Sequence, residues 1–313
     1  MTAAPPRVSV VICTHNRAER LGDAIGSVLA QDSAGVPFEL LVVDNRSTDG
    51  TRDTVERFGG DRRVRYVWEP ALGLCHARNT GGREARGEYI AYLDDDAVAC
   101  AGWLQAIPAA FEAMADVGVV GGRVEPIWEA ARPTWLSDDV ALSLTIVDWS
   151  VTPTVITDVR NQWLVGANMA VRAKALRAVG GFHPRLDRVG TRMLSSGDVY
   201  LQKQIMARGY RCFYAPAMAV RHAVPASRLT KRWFRRRYYS QGLSDAVMQL
   251  LDGHTSPRAR ASSALTTAAR LLVRPHDLAA LLCPTNDPVR FTRKCFAWIA
   301  VGTVAGMIGG ARQ

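Results

Sequence analysis

Lysine is scarce in this 313-residue chain: of its 39 basic residues only Lys174, Lys203, Lys231 and Lys294 are lysine, and the rest are arginine. Against 29 acidic residues this gives a formal net charge of +10. Surplus carried by arginine favours bidentate contact with phosphate or carboxylate, so phosphorylated ligands, nucleic acid and anionic membrane are all admitted. The six cysteines (Cys13, Cys75, Cys100, Cys212, Cys283, Cys295) include no CxxC pair, and no histidine stands at zinc-ligand spacing. Neither a disulfide framework nor a structural zinc site is indicated, and a reduced compartment fits. The opening MTAAPPRVSVVICTHNR lacks a basic stretch followed by an apolar one and a small-residue cleavage site. It does not read as a secretion signal, and the expected location is cytoplasmic. No GxGxxG follows the first apolar run, which argues against a dinucleotide-dependent dehydrogenase. Internal repeats and low-complexity tracts are missing as well. Near the end, FAWIAVGTVAGMIGG is an apolar run of 15 residues. At about 1.5 Å per residue it reaches about 22 Å, short of the roughly 30 Å hydrocarbon core, so a core or interfacial helix is expected.

What is present is enough apolar sequence, 48%, for a full core. Val8 to Cys13 and Phe38 to Val43 are short β-branched runs of the kind buried on both faces of a sheet. Val64 to Trp68 and Tyr89 to Leu93 repeat the pattern. Between them lie helical spacings: Leu21, Ile25, Val28 and Leu29; a helix carrying Val55 and Phe58 that Ser47 and Thr48 can cap; and GLCHARNTGGREARGE. The alternation predicts an α/β fold with a doubly wound, mainly parallel sheet and ligands at the carboxyl ends of its strands. After about Trp103 the pattern weakens. GVVGGRVEPIW reads as one further strand, QWLVGANMAVRAKALRAVGGF as a strand and turn leading into a helix, and SSGDVYLQKQIMARGY as a helix opened by Ser195 to Asp198. From about His254 the sequence becomes short Ala/Leu-rich helical patterns broken by Pro275, Pro284 and Pro288.

Three polar clusters each follow a buried strand directly: Thr14 to Arg17, Asp44 to Asp49, and Asp94 to Asp96. The strand-end rule gathers them on one edge of the sheet. Adjacent like charges such as those of Asp94, Asp95 and Asp96 repel unless a cation or hydrogen-bond donors share them. In a chain this basic, either solvent or something positive must meet them.

Together VSVVICTHNRAERLGDAIGSVLAQ, FELLVVDNRSTDGT, GLCHARNTGGREARGEYIAYLDDD, GANMAVR…GGF and SSGDVYL resemble, in order and approximate spacing over roughly residues 7 to 245, a family 2 glycosyltransferase of the GT-A fold. The resemblance implies a GT-A domain over residues 1–250, leaving 251–313 as a helical C-terminal extension for membrane contact or dimerisation. It implies an enzyme, a hexosyltransferase, moving a sugar with inversion from a nucleotide diphosphate sugar to an acceptor hydroxyl, with Mg2+ or Mn2+. The carboxylate run matches the family's acidic metal motif: Asp94 and Asp95 near the ribose and metal, Asp96 and Asp95 as ligands, with Asp96 the most direct. A hard divalent cation takes carboxylate and diphosphate oxygens and neutralises charge on the leaving nucleotide. His222, in AVRHAVP, falls where some relatives place a histidine that binds the metal or the diphosphate, and it is the third expected ligand. Thr14, Asn16 and Arg17 match the nucleotide pocket, Asp44 a base-contacting acid, and Asn45 stands where relatives often carry a second Asp, leaving uridine or thymidine open. Arg78 matches a basic residue near the diphosphate. Gly166, Ala167 and Asn168 match the loop beneath the donor sugar. Asp198 in GDVYL matches the catalytic base, with Gly197 where the family more often has Glu. Trp233 and Arg236, in KRWFRRRYY, read as a flap closing on the diphosphate, and as a basic patch for anionic lipid.

The acceptor implied is a glycan or lipid-linked sugar in cell-envelope or exopolysaccharide assembly, met by a cytoplasmic enzyme peripheral to the membrane. A soluble secondary metabolite or peptide is the alternative acceptor. A nucleotidyltransferase would carry a glycine-rich loop after the first strand, where CTHNRAER has none. A nucleic-acid-binding protein would use the positive charge and the aromatic basic segment. It would leave Asp94 to Asp96 and Asp198 without a role, so no nucleic-acid partner is expected.

Overall fold

The computed structural model describes residues 5–33, 35–189, 193–253, 256–272, 281 and 284–309. The chain divides into two compact units: Met1–Ile127 with Ile146–Pro184 and Gly197–Ala223, and Trp128–Thr145 with Arg185–Ser196 and Val224–Gln313.

The first unit is built on a sheet of eight strands. In chain order these are β1 (Val8–Thr14), β2 (Phe38–Asp44), β3 (Val64–Trp68), β4 (Tyr89–Asp94), β6 (Val117–Gly121), β8 (Thr154–Ile156), β9 (Asn168–Arg172) and β10 (Arg211–Tyr214). Across the sheet the order is β3-β2-β1-β4-β9-β6-β10-β8. Its first half is parallel, β2 and β4 flanking β1 and β3 beside β2. Every residue of β2 is buried, as its unbroken apolar run requires. Helices α1 (Ala18–Leu29), α2 (Thr51–Glu56), α3 (Leu74–Glu84), α4 (Trp103–Glu112), α6 (Ala173–Val179) and α7 (Gly197–Met206) accompany the strands. The fold is the α/β, parallel-dominated arrangement the alternation demands.

Two features depart from the sequence reading. GVVGGRVEPIW is not one strand. It gives β6 in the main sheet and β7 (Val124–Trp128) in a second, three-stranded sheet ordered β5-β11-β7, with β5 Ala97–Ala99 and β11 Val220–Val224. The N-cap of α2 is also not Ser47 or Thr48 but Gly50, and the residue before it, Asp49, accepts the Thr51 N–H on Oδ1 at 3.0 Å. Ser47 Oγ instead accepts the Asn16 N–H, and the Thr48 N–H goes to Asn16 Oδ1. The two polar loops are thereby stitched to each other.

The second unit is helical, with the short α5 (Asp138–Ala141) and the longer α8 (Lys231–Leu251), α9 (Pro257–Leu272) and α10 (Pro288–Gly309). α8 and α10 cross at glycine: a Cβ on Gly242 would lie 2.0 Å from the Ile299 carbonyl oxygen, and one on Gly302 2.0 Å from that of Tyr239. Only glycine permits backbones this close. The apolar run FAWIAVGTVAGMIGG lies in α10 up to Gly309, and there it packs as a core helix, with Cys295, Ala297 and Met307 buried. No described helix is long and apolar enough to cross a membrane. The break at Pro275, and Cys283, lie outside the described residues. The five described cysteines are all free.

Candidate active site

Strand register assembles the site. Thr14 ends β1 opposite Asp44 at the end of β2, and Cys13 stands opposite Asp94 at the end of β4. β9 runs antiparallel to β4, with Asn168 opposite Leu93. An antiparallel strand begins where its parallel neighbours finish, so the Gly166-Ala167-Asn168 segment arrives at the same carboxyl edge. His222 comes from the smaller sheet. It pairs with Ala97, the residue after the carboxylate run.

The Asp94 and Asp96 carboxylates and the His222 imidazole offer donor atoms that all lie within 4.8 Å of one another. Asp94 ends β4 while Asp95 and Asp96 form the turn that leads into β5, and there the triplet splits. Asp94 and Asp96 gather, and Asp95, expected as a ligand, is not in the group. His222 Nε2 lies 3.0 Å from Asp96 Oδ1, and Arg17 approaches Asp96 Oδ2 at 3.5 Å. Arg78 pairs with Asp94 at 3.2 Å. Burial, with the Asp96 charge beside it, pushes the Asp95 carboxyl up to about 7, and the Thr14 and Arg17 side chains only partly counter this. His222 Nδ1 is buried without a hydrogen-bond partner. Two carboxylates and one imidazole form a donor set suited to a divalent cation. The residues fit a metal.

Arg78, on α3, joins this corner to Asp198. Its guanidinium is buried, lies 5.4 Å from the Phe182 ring centroid, and passes so close to Gly166 that a Cβ there would sit 2.4 Å from Nη2. Gly166 is therefore glycine because Arg78 crosses it. Burial would lower the Arg78 pKa, but Asp94 and Asp198 raise it above the ordinary arginine value. Asp198 sits in the first turn of α7. Its Oδ2 accepts the Gly166 N–H at 3.0 Å and its Oδ1 the Val199 N–H at 2.9 Å. Gln202, one turn on and fully buried, accepts the Leu164 N–H and donates to the carbonyls of Leu164 and Asp198. This glutamine, unnoticed in the sequence, locks residues 164 to 166 to the helix that carries Asp198. Ala167 is buried between these anchors, at 2% exposure.

Other expected residues turn out to brace the fold. Asn168 is fully buried. Its Oδ1 accepts the Trp103 indole N–H, and its Nδ2 donates to the carbonyls of Arg123 and Met218. Asn45 Nδ2 donates to the carbonyls of Glu69 and Ala71, and its Oδ1 accepts the Gly73 N–H. An aspartate could not donate, which explains the asparagine here. Asp44 accepts the Ser47 N–H and the Tyr66 hydroxyl, and that hydroxyl, buried and facing a carboxylate, is pushed up to about 12. Asn16, at φ 53°, takes the left-handed conformation that asparagine tolerates. Trp233 and Arg236 lie on α8 in the second unit. Arg236 is exposed, and Trp233 is half-buried with its ring centroid 5.0 Å from that of Phe234.

The model of the family described as "Glycosyl transferase family 2" matches residues 9–179. The chain is 29% identical over 253 residues, 78% of each protein, to a glucosyl-dolichyl phosphate glucuronosyltransferase of Haloferax volcanii. It is also 29% identical, over 96% of its own length and 92% of the other's, to glycosyltransferase AglE of the same organism. A validoxylamine A glucosyltransferase of Streptomyces hygroscopicus is 38% identical over 39% of this chain and 29% of its own. Among solved structures, the mannosyltransferase PcManGT from Pyrobaculum calidifontis, in complex with GDP-Man and Mn2+, superposes with a TM-score of 0.60 at 22% identity, covering 99% of this chain and 91% of that one. S. aureus TarS residues 1–349, in complex with UDP-GlcNAc, gives 0.54 at 18% identity, over 77% and 66%.

Proposed function

The chain belongs to glycosyl transferase family 2, and on that basis we propose that it moves a sugar, with inversion, from a UDP or dTDP sugar to an acceptor hydroxyl. The observation that carries this reading is the pairing of the Asp94, Asp96 and His222 group with Asp198 through the buried Arg78. The two carboxylates and the imidazole would hold Mg2+ or Mn2+. When bound, the ion supplies charge neutralisation for the departing nucleoside diphosphate.

The protein's own groups do the rest. Asp198 accepts the proton of the acceptor hydroxyl as that oxygen bonds to the anomeric carbon and the bond from that carbon to the diphosphate oxygen breaks. The Gly166 N–H fixes the Asp198 carboxylate, leaving its orientation set before the acceptor arrives. Arg78, held cationic, adds positive charge beside the leaving group. Thr14, Asn16 and Arg17 line the nucleotide side, while Asp44 and Asn45 shape the loop on which the base rests.

For the acceptor we propose a lipid-linked glycan of the cell envelope, reached from the membrane surface. The name of the Haloferax glucuronosyltransferase, which includes a glycosylated dolichyl phosphate, supports it. Exposed Arg232, Arg235 and Arg236 on α8 suit an anionic surface. The partial match to validoxylamine A glucosyltransferases favours a second reading, a soluble small-molecule acceptor.

The test is a panel of nucleotide sugars incubated with Mn2+, with and without EDTA, reading nucleotide release. Metal-dependent release from one donor is the expected result. Absence of binding and release across all UDP, dTDP and GDP sugars would sink the transferase reading.

A further inference from the structure

Beside the site, and unused by the mechanism, lies an aromatic pair in the first unit. Trp149 and Trp163 meet edge to face with ring centroids 5.4 Å apart, and the Trp149 indole N–H donates to the Trp163 carbonyl at 2.8 Å. Both are only partly buried, unlike Trp103, which is fully enclosed. The two rings therefore hold each other in fixed orientation while keeping surface in solvent.

Their position is set from two sides. Trp163 immediately precedes Leu164, whose N–H and carbonyl are both bound by Gln202, the residue that also bonds the Asp198 carbonyl. Gly166, whose N–H holds the Asp198 carboxylate, is three residue steps from Trp163, and three steps span at most about 11 Å. Trp149 is fixed by its neighbour. Exposed Asp148 accepts the Tyr214 hydroxyl at 3.1 Å, and that same hydroxyl feels the charge of Arg123. Arg123 Nε lies 3.4 Å from Glu125 Oε1, an ion pair. Its backbone carbonyl is tied to Asn168.

Partly exposed indoles held rigid, with the exposed Asp148 carboxylate next to Trp149 in the chain, match the chemistry of a pyranose: an apolar C–H face to stack and a rim of hydroxyls to hydrogen-bond. The tether keeps the Trp163 backbone within about 11 Å of Gly166, the residue that holds the proposed base, and Trp149 is bonded to Trp163. We propose that Trp163 and Trp149 form the acceptor subsite, stacking a sugar ring of the acceptor, so that the acceptor is a glycoside and not a bare lipid phosphate or a peptide hydroxyl. This rests on the transferase reading and specifies its acceptor side.

The test offers octyl glucoside, octyl galactoside, octyl mannoside, citronellyl phosphate and a serine peptide as acceptors, with the donor that the nucleotide-release screen identifies. Transfer to a glycoside is expected. Trp163→Leu should raise the glycoside KM about tenfold while moving the donor KM less than twofold, and Trp163→Phe, which keeps a ring, should restore most of the loss. Trp149→Leu gives the same readout should Trp163→Leu fold poorly, as judged by its thermal melt. Transfer only to citronellyl phosphate or the peptide overturns the proposal with the transferase reading intact, and so does an unchanged glycoside KM in both leucine variants. Failure of the wild-type protein to release nucleotide from any donor removes the transferase reading itself, and the subsite with it.

Discussion

Two halves of the same sheet edge treat their polar groups in opposite ways. At the ends of β2 and β3, Asp44, Asn45 and Tyr66 are each hydrogen-bonded within the protein, and Asp44 and Asn45 are 1% and 4% exposed. At the end of β4, like charges crowd together, His222 Nδ1 is buried without a partner, and Asp95 is forced toward its neutral form. Each unsatisfied buried group costs about 1–3 kcal/mol, a penalty that a ligand making the missing contacts would remove. The satisfied half reads as scaffold and the unsatisfied half as site, although both consist of acidic and amide residues at strand ends.

The largest effect should come from the site half. Asp198→Asn keeps an oxygen for the Gly166 N–H but cannot accept a proton, so transfer should fall about 10²- to 10⁴-fold with donor affinity retained. A transfer rate equal to wild type would remove Asp198 from its role. Next is Asp96→Ala, which should weaken Mn2+-dependent donor binding about a hundredfold. Its cost in stability should stay near or below about 1 kcal/mol, because losing the His222 and Arg17 contacts is offset by relief of repulsion with Asp94 and Asp95. Isothermal titration and a urea melt on the same variant separate the two quantities.

The scaffold half should respond in reverse. Asn45→Asp strips the donors that meet the Glu69 and Ala71 carbonyls and places a charge against them, costing about 2–3 kcal/mol of stability. A urea denaturation series would show this as a shifted midpoint, with donor affinity changing only as far as the loop loosens. If Asn45→Asp leaves the midpoint in place and abolishes donor binding, the division between scaffold and site is wrong.

The apolar strand runs and the rule that ligands gather at strand ends made the first half of the sheet and its three polar clusters legible in the sequence. Periodicity carries no information about how far-separated segments pair. Hence the antiparallel course of β9, the splitting of GVVGGRVEPIW between two sheets, and the strand that brings His222 beside Asp96 had to come from the structure. Which of Asp94 and Asp95 joins Asp96 was not legible either, because Asp95 and Asp96 form the turn between β4 and β5 and strand alternation does not run through it. Nothing in the local sequence distinguishes Asn45 and Asn168 as braces, since their partners lie at Glu69, Ala71 and Gly73, and at Trp103, Arg123 and Met218.

The smallest effect extends the comparison to the second unit, where Gln241 on α8 bonds Ser195, Ser196, Arg237 and Asp245. Asp245 is buried enough that its carboxyl is pushed up to about 6, Gln241 and Arg237 pulling it back only in part. Between about pH 4 and that value the folded chain keeps a proton that the unfolded chain has released. The folded state binds more protons there, so stability falls as pH rises through this window and is level above it. Asp245→Asn retains an oxygen for the Gln241 amide and removes the penalty. It should stabilise the protein by about 1–2 kcal/mol at pH 8 and by almost nothing at pH 4, read from urea midpoints at the two values. Equal gains at both would mean that Asp245 carries its charge at no cost, and that this cluster belongs with the satisfied scaffold of Asp44 and Asn45.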